Sequence, residues 1–487
     1  MRRFAGVVLS TLALAACGGS KPSAETAGPV DHAARVEAGL RASIRIAGTP
    51  ETTFTLAERM QRYKVPGISI AVVDGGTITW AKGYGLKVVG TADSVTPTTL
   101  FQAASISKPV AATGMMHLVD EGKLALDEPI NTYLKSWKLP DNRFTAQEKV
   151  TLRRIASHSA GLTVHGFPGY AVTDPVPTVP QVLDGAKPAN TAAVRVDTTP
   201  GAISRYSGGG ITIEQLAMAD VTGEDFNALM KRLVLDPIGM TNSGYDQPLA
   251  EGRRGQEAAA YNGKGEPIAG KWHVYPEKAA AGLWTTPTDL LKWAMELAAA
   301  RDGKSTKVVS QKAATEMLAA QKGDFGIGPA LGGTGDGFHF GHGGANEGFR
   351  CEVIYFPALG KGAAVMTNSD NGDALNTEVL YAIAKEYGWP GYGPREVTVI
   401  TVDSASLESL VGTYTSKVPA TRVTVSRKGA GLVIVEPQYI PETPLAFLAP
   451  DSAISPVNGL PVKFRRGKDG KVTGLDVAGI ALTRVAR

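Results

Sequence analysis

The stretch Phe101-Gln-Ala-Ala-Ser105-Ile-Ser-Lys108-Pro109 opens an apolar segment of helical period that runs on through Met115, Met116 and Val119. A serine and a lysine three residues apart share one face of a helix, so the amine can reach the hydroxyl and take its proton. Pro109 has no N–H to give the carbonyl of Ser105, which makes the helix begin close to Ser105 instead of running through it. The N–H of Ser105 is then left at the positive end of the helix dipole, where an oxyanion can be held. Ser105 is therefore the candidate nucleophile and Lys108 its candidate activating partner. The string is short enough to arise by chance, but it is the only S-x-x-K in the chain.

Around it lie 487 residues, enough for two or three domains and a large core. Charged residues make up 20% and apolar ones 43%, the balance of an ordinary globular protein. A net charge of +4 without basic runs and interleaved aromatics argues against nucleic acid as a partner. Upstream of Ser105, Leu56, Met60 and Tyr63 recur at helical spacing until Val65-Pro66-Gly67 ends the helix. Ile68 to Val73 and Thr77 to Lys82, joined by Asp74-Gly75-Gly76, predict a hairpin with left-handed turn residues. Downstream, helices are expected at 150–157, 212–235 and 288–300, with Pro/Gly-rich stretches 163–200 and 244–280 suited to lining a cleft. Strands return at Phe349 to Phe356 and Lys361 to Asn368, before a helix at 373–387. Strands, helices and strands again predict an α/β sandwich closed by both ends of one domain. A connection at 388–404 then leads to 405–487, whose short alternating runs predict a small antiparallel barrel.

The N-terminus has its own logic. Arg2 and Arg3 precede the apolar run Phe4 to Ala16, too short to span a bilayer and ending in small residues, as a secretion signal does. Leu14-Ala15-Ala16-Cys17 resembles a bacterial lipobox, which implies cleavage before Cys17, acylation of that residue and a lipid-anchored protein outside the cytoplasm. Several acyl chains give stable anchoring, and Gly18 is compatible with the periplasmic face of the outer membrane. Residues 18–40 are expected to be a tether. With Cys17 acylated, Cys351 has no disulfide partner and is read as a buried residue on a strand.

Further stretches bear on the chemistry. Tyr206-Ser207-Gly208 sits just before a helix, where a tyrosine can present its hydroxyl to a nucleophile and act as base once neighbouring cations lower its pKa. Gly341-His342-Gly343-Gly344-Ala345 leads into a strand, its glycines allowing a ligand close to the backbone and the Ala345 N–H offering a second oxyanion donor. Ile155-Ala-Ser157-His158-Ser-Ala-Gly161 reads as a helix end turning tightly under the site. His117, His158, His165 and His273 read as ordinary packing or surface residues, and Ser369-Asp370-Asn371 as a turn. No G-x-S-x-G, G-x-G-x-x-G, C-x-x-C or H-E-x-x-H occurs, and neither a metal site nor a cofactor is expected.

With Ser105-x-x-Lys108, Tyr206-Ser-Gly208 and His342-Gly-Gly344 in this order, the chain resembles the serine β-lactamase and penicillin-binding-protein superfamily, in particular class C β-lactamases, D-alanyl carboxypeptidases, D-aminopeptidases and related esterases. The resemblance covers roughly residues 52–390. It implies a β-lactamase/DD-peptidase-like sandwich, an antiparallel sheet flanked by helices with an all-helical region, over about 41–395. Leu410-Val-Gly-Thr-Tyr414 opens a tail, 405–487, similar to the lipocalin-like barrel some members carry. The resemblance makes Ser105 the acylated nucleophile, Lys108 its activator and Tyr206 the proton shuttle, with His342 in place of a usual lysine. The N–H groups of Ser105 and Ala345 become the oxyanion hole, and Ser207, Gly208, Gly343 and Gly344 line the substrate. Asp289 matches a family segment and is assigned only a helix cap.

Departures from the family pattern bear on substrate. Gly208 stands where many relatives have the asparagine of Tyr-x-Asn, removing an amide that binds an acylamide. His342-Gly343-Gly344 replaces Lys-Thr-Gly, removing a fixed cation, and a histidine is mostly neutral at pH 7. The grip on a substrate carboxylate weakens, which favours amide or ester hydrolysis on D-amino-acid substrates over efficient β-lactam hydrolysis. A β-lactamase, or a penicillin-binding sensor that acylates without turnover, stays as an alternative.

Overall fold

The structure is a computed structural model and describes residues 31–417, 420–436, 440–477 and 479–485. Its organising layer is a six-stranded antiparallel sheet in the order Thr77–Gly85, Gly67–Asp74, Lys361–Thr367, Phe349–Phe356, His339–Asn346 and Ala330–Gly332. The N-terminal hairpin thus pairs with strands from the far end of the domain, as Ile70 opposite Val365 shows. Gly75 and Gly76 both take positive φ at the hairpin tip, as the Asp-Gly-Gly sequence predicts. Strand Gly67–Asp74 is buried on both faces, which its near-continuous apolar run requires.

Helices cover the two faces. On one lie helix α1 (His32–Glu37), α2 (Leu56–Tyr63) and the C-terminal helix of the domain, Gly372–Tyr387, joined through Val36, Leu40, Leu56, Leu375, Val379 and Ile383. Arg59 and Glu378, both buried, form a two-pronged ion pair there that also receives the Tyr63 hydroxyl at 2.7 Å. The expected tether of 18–40 is corrected at its C-terminal end. Helix α1 and Leu40 are packed into this layer because Val36 and Leu40 supply apolar surface to the sheet's back face; the remainder of that stretch, with Cys17, lies outside the described residues.

The opposite face carries α3 (Ser107–Asp120), the helix Pro287–Arg301 and an all-helical lobe that includes Leu152–Ala156 and Gly208–Thr222. The helix expected over 212–235 is instead broken. It ends at Gly223, whose φ of +72° caps it, and a second helix Phe226–Met230 starts on an Asp225 cap before a wider turn Lys231–Leu235. Asp289 is not the cap of its helix. Thr286 holds that place, and buried Asp289 accepts hydrogen bonds from the Asn242 N–H and the Ser243 hydroxyl, tying a loop to the helix start. Ser369-Asp370-Asn371 forms the turn into helix Gly372–Tyr387.

Beyond Ser404–Leu410, eight strands from Gly412–Lys417 to Ile480–Arg484 close into an antiparallel barrel, the first pairing with the last through Tyr414 and Arg484. The last two strands form a hairpin, Val472–Val477 and Ile480–Arg484, with Gly479 at positive φ between them. Tyr414, Phe447 and Phe464 fill the interior with Val423, Ile434, Leu475 and Leu482, so the barrel is a packed core. It attaches through Ile454 to Ile44 and Val397, on the parallel pair Ile44–Ile46 and Arg395–Val397. Among the described residues no helix is long and apolar enough to cross a membrane.

Candidate active site

The site forms where strand Phe101–Gln102 gives way to α3. Ala104 takes φ of +49°, a left-handed conformation uncommon for a residue with a Cβ, and a 3-10 turn over Ala104–Ile106 carries Ser105 to the head of the helix. Ser107, the first residue of the helix, is pinned from two sides. Its hydroxyl accepts the Leu283 N–H at 3.0 Å and its carbonyl accepts the Tyr245 hydroxyl at 2.8 Å. The serine-bearing turn is therefore held by buried polar contacts as well as by helix packing.

Lys108 lies 2.8 Å from Ser105 Oγ and donates to the Ala280 carbonyl at 2.7 Å. Among the described residues no carboxylate pairs with it, and burial alone brings its amine down to about 7. At neutral pH much of the amine is uncharged, with a lone pair for the serine proton. Tyr206 stands over this pair, its ring centroid 5.0 Å from Lys108 Nζ. The expectation that cations would lower the Tyr206 pKa is corrected. Burial pushes the phenol well above its ordinary value, the Ser105 hydroxyl only partly opposing it, because the adjacent amine is itself desolvated. Tyr206 holds its proton at neutral pH.

His342 faces Tyr206 with ring centroids 6.0 Å apart. Its Nδ1 donates to the Gly343 carbonyl at 2.6 Å, and Nε2 is buried without a partner among the described residues. Burial and the Lys108 amine bring it down to about 4, so it is uncharged at neutral pH. Phe325 and His158 complete a ring cluster beneath Tyr206, and exposed His165 flanks it at 4.9 Å.

A cleft of about 430 Å³ runs between Ser105, Tyr206 and His165 on one side and the strand Gly343–Ala345 on the other. Gly344 makes the approach possible: a Cβ there would sit 2.3 Å from the Ala103 carbonyl oxygen and 2.4 Å from Cys351 Sγ. Two expected substrate contacts fall elsewhere. The Ser207 hydroxyl donates to the Thr163 carbonyl and accepts the Gly210 N–H as a helix cap, and buried Gly208 faces Phe167 and the His165 carbonyl. Both belong to the helix start because four free N–H groups there need partners.

The cleft also has acidic walls that sequence reading missed. Glu352 and Asp373 line it, and burial together with the Asp373 charge brings Glu352 up to about 8. Burial raises Asp373 as well, with Arg350 opposing at 3.3 Å. An acidic residue inside the apolar strand Phe349–Phe356 was the available signal, but only the register, which sets Glu352 opposite Gly343, aims it at the cleft. Among the described residues, no group of three or more His, Cys, Asp or Glu side chains is placed to hold a metal ion.

A serine faced by a desolvated lysine at a helix head, on this sheet and helical lobe, is the architecture of a serine hydrolase. The chain belongs to the beta-lactamase family, whose model matches residues 55–387. It is similar to an unguisins hydrolase of Aspergillus violaceofuscus, 27% identical over 48% of this chain and 42% of that protein. Protein flp of Staphylococcus aureus is 25% identical over 47% of this chain and 43% of its own length. The chain thus spans less than half the length of these curated relatives. Among solved structures, an octameric penicillin-binding protein homologue from Pyrococcus abyssi superposes with a TM-score of 0.60 at 23% identity, covering 88% of this chain and 98% of that one. A D-amino acid amidase from Ochrobactrum anthropi gives 0.55 at 23% identity, over 67% and 96%.

Because Gly344 leaves no room for a side chain, Gly344→Ala is expected to push the strand away from Ala103. Fluorophosphonate labelling of Ser105 should slow at least ~10-fold in a protein that still melts cooperatively. Labelling at the wild-type rate would show that strand position does not matter to the serine.

Proposed function

We propose that the protein is a serine hydrolase that works through a Ser105 acyl-enzyme on D-amino-acid amides, peptides or esters. The observation that carries this reading is the buried Lys108 amine, brought down to about 7, standing 2.8 Å from Ser105 Oγ. The amine takes the hydroxyl proton as Ser105 Oγ attacks the carbonyl carbon. The N–H groups of Ser105 and Ala345 hold the resulting oxyanion, and the Tyr206 phenol gives its proton to the leaving nitrogen or oxygen as the Lys108 ammonium replaces it. Water then cleaves the Ser105 ester by the reverse sequence.

The substrate preference follows from charge. Lys108 and His342 are both pushed towards their neutral forms, so neither supplies the fixed cation that a penicillin or terminal D-Ala carboxylate needs. On the other wall Glu352 is mostly protonated at neutral pH and Asp373 is paired with Arg350, so neither adds a fixed positive charge for a carboxylate. The D-amino acid amidase among the structural neighbours supports the same substrate class. We further propose that Cys17 is lipidated and holds the protein to a membrane outside the cytoplasm, its partners being the anchor lipid and a small-molecule or peptide substrate.

Intact mass after fluorophosphonate treatment is expected to show one adduct that Ser105→Ala abolishes. Its rate should rise with pH through about 7, since protonation removes the Lys108 lone pair. A pH-independent rate, or an adduct that survives Ser105→Ala, would refute the mechanism. On a matched panel, kcat/KM for a D-amino-acid amide with a free ammonium should exceed that for benzylpenicillin by at least ~10-fold at neutral pH; Glu352→Gln should leave that gap within ~2-fold there, where Glu352 is already mostly protonated, and narrow it as pH rises above about 8. Equal turnover of both would make the protein a β-lactamase, and a lasting penicillin adduct a sensor. In cells fed labelled palmitate, the full chain should take up label that Cys17→Ala loses; uptake unchanged by that substitution would place the lipid elsewhere or nowhere.

A further inference from the structure

His158 holds the chain on both sides of Tyr206. Its carbonyl accepts the N–H of Arg205 at 2.7 Å, and its Nδ1 accepts the N–H of Ser207 at 3.3 Å. Between those two contacts its ring lies under the Tyr206 phenol, centroids 4.2 Å apart, and Phe325 meets it edge-on at 4.8 Å from behind. To do this the residue adopts φ of +56° and is 2% exposed. Left-handed backbone at a buried residue with a Cβ is strained and persists where the surroundings over-determine it.

The hydrogen bonds also fix the protonation of the ring. An Nδ1 that accepts an N–H carries no proton, so the ring is the neutral Nε2–H form. Nε2 is buried and has no partner among the described residues. The groups facing the ring agree with this. Burial of the ring opposes a second proton first, and any positive charge on Lys108 or His342 adds to it, so His158 stays well below its ordinary pKa.

We infer that His158 is a positioning residue, an uncharged clamp on residues 205 and 207 that fixes the Tyr206 hydroxyl relative to Ser105 and Lys108. The inference rests on the acyl-enzyme reading above for what Tyr206 does once placed. Among the described residues His158 makes no hydrogen bond to Ser105 or to Gly343, Gly344, Ala345, Glu352 or Asp373, so its effect must pass through Tyr206. A proton-donating phenol displaced by an ångström loses much of its effect, since catalysis depends on approach within hydrogen-bond distance.

The test compares two substitutions that both tolerate left-handed backbone, His158→Gly and His158→Asn, in the wild-type and Tyr206→Phe backgrounds. Glycine keeps the carbonyl contact but removes the ring and the Nδ1 acceptor; asparagine restores a short acceptor for the Ser207 N–H. In the wild-type background His158→Gly is expected to lower kcat by ~10- to 100-fold with KM changed less than ~3-fold, and His158→Asn to recover at least ~3-fold of that loss. In the Tyr206→Phe background His158→Gly should cost less than ~2-fold, as expected for residues acting as one unit. An equal loss in both backgrounds would overturn the inference, as would a folded His158→Gly enzyme of full activity. A His158→Gly chain that no longer melts cooperatively would also overturn it, by making the residue a general support of the fold. Ser105→Ala in the same assay reports separately on the hydrolase reading: activity surviving there refutes the acyl-enzyme, whatever the His158 variants do.

Discussion

The desolvation of one amine governs the candidate site. Among the described residues Lys108 has no carboxylate to pair with, and burial of an unpaired ammonium is costly enough to bring the amine down to about 7. What the amine does have is a carbonyl, Ala280, and a hydroxyl, Ser105, on either side. The carbonyl comes from the short helix Lys278–Ala281, far along the chain, and packing of that helix against Ser107–Asp120 and Gly208–Thr222 places it. The same low-polarity surroundings keep Tyr206 protonated and His342 uncharged. A single physical condition, exclusion of water from the floor of the cleft, thus sets the proton inventory of all three side chains.

The opposite wall depends on closeness instead of charge. Strand His339–Asn346 runs beside the 3-10 turn with Gly344 against the Ala103 carbonyl and Cys351 Sγ, spacing that a single methyl group would violate. Gly343 is bare for a different reason: Glu352 Oε2 lies 2.7 Å from where its Cβ would be, so the glycine admits a carboxylate over the strand. The result is a cleft whose floor and flank are both depleted of fixed charge, Lys108 being brought down to about 7 and Glu352 up to about 8. The barrel takes no part in it, since it attaches at Ile44, Val397 and Ile454 and supplies none of the residues that line the cleft.

Several sequence expectations failed at helix ends. Asp289 and Thr286 are three residues apart, and propensity alone does not say which of two capping residues the chain uses; burial among the Asn242 and Ser243 groups decided it. Ser207 and Gly208 looked like substrate contacts because they follow Tyr206, but backbone groups at the start of the next helix claimed them first. Residues 32–40 looked like tether because their composition is mixed; Val36 and Leu40 are packed because the back of the sheet offers them a partner.

The sequence by itself determined the elements whose signals are local. The S-x-x-K turn at a helix head, the Asp-Gly-Gly hairpin, the glycines before the strand at 349 and the alternation in the last eighty or so residues all follow from periodicity, spacing and left-handed turn chemistry within a few residues. The tertiary structure alone decided what depends on neighbours distant in the chain. It took water away from Lys108 and Tyr206, reversing the direction expected for the tyrosine, and through strand register it turned Glu352 towards the cleft. It also brought His158 beneath Tyr206, some fifty residues on. Desolvation and register are properties of the packed chain, and no window of sequence contains them.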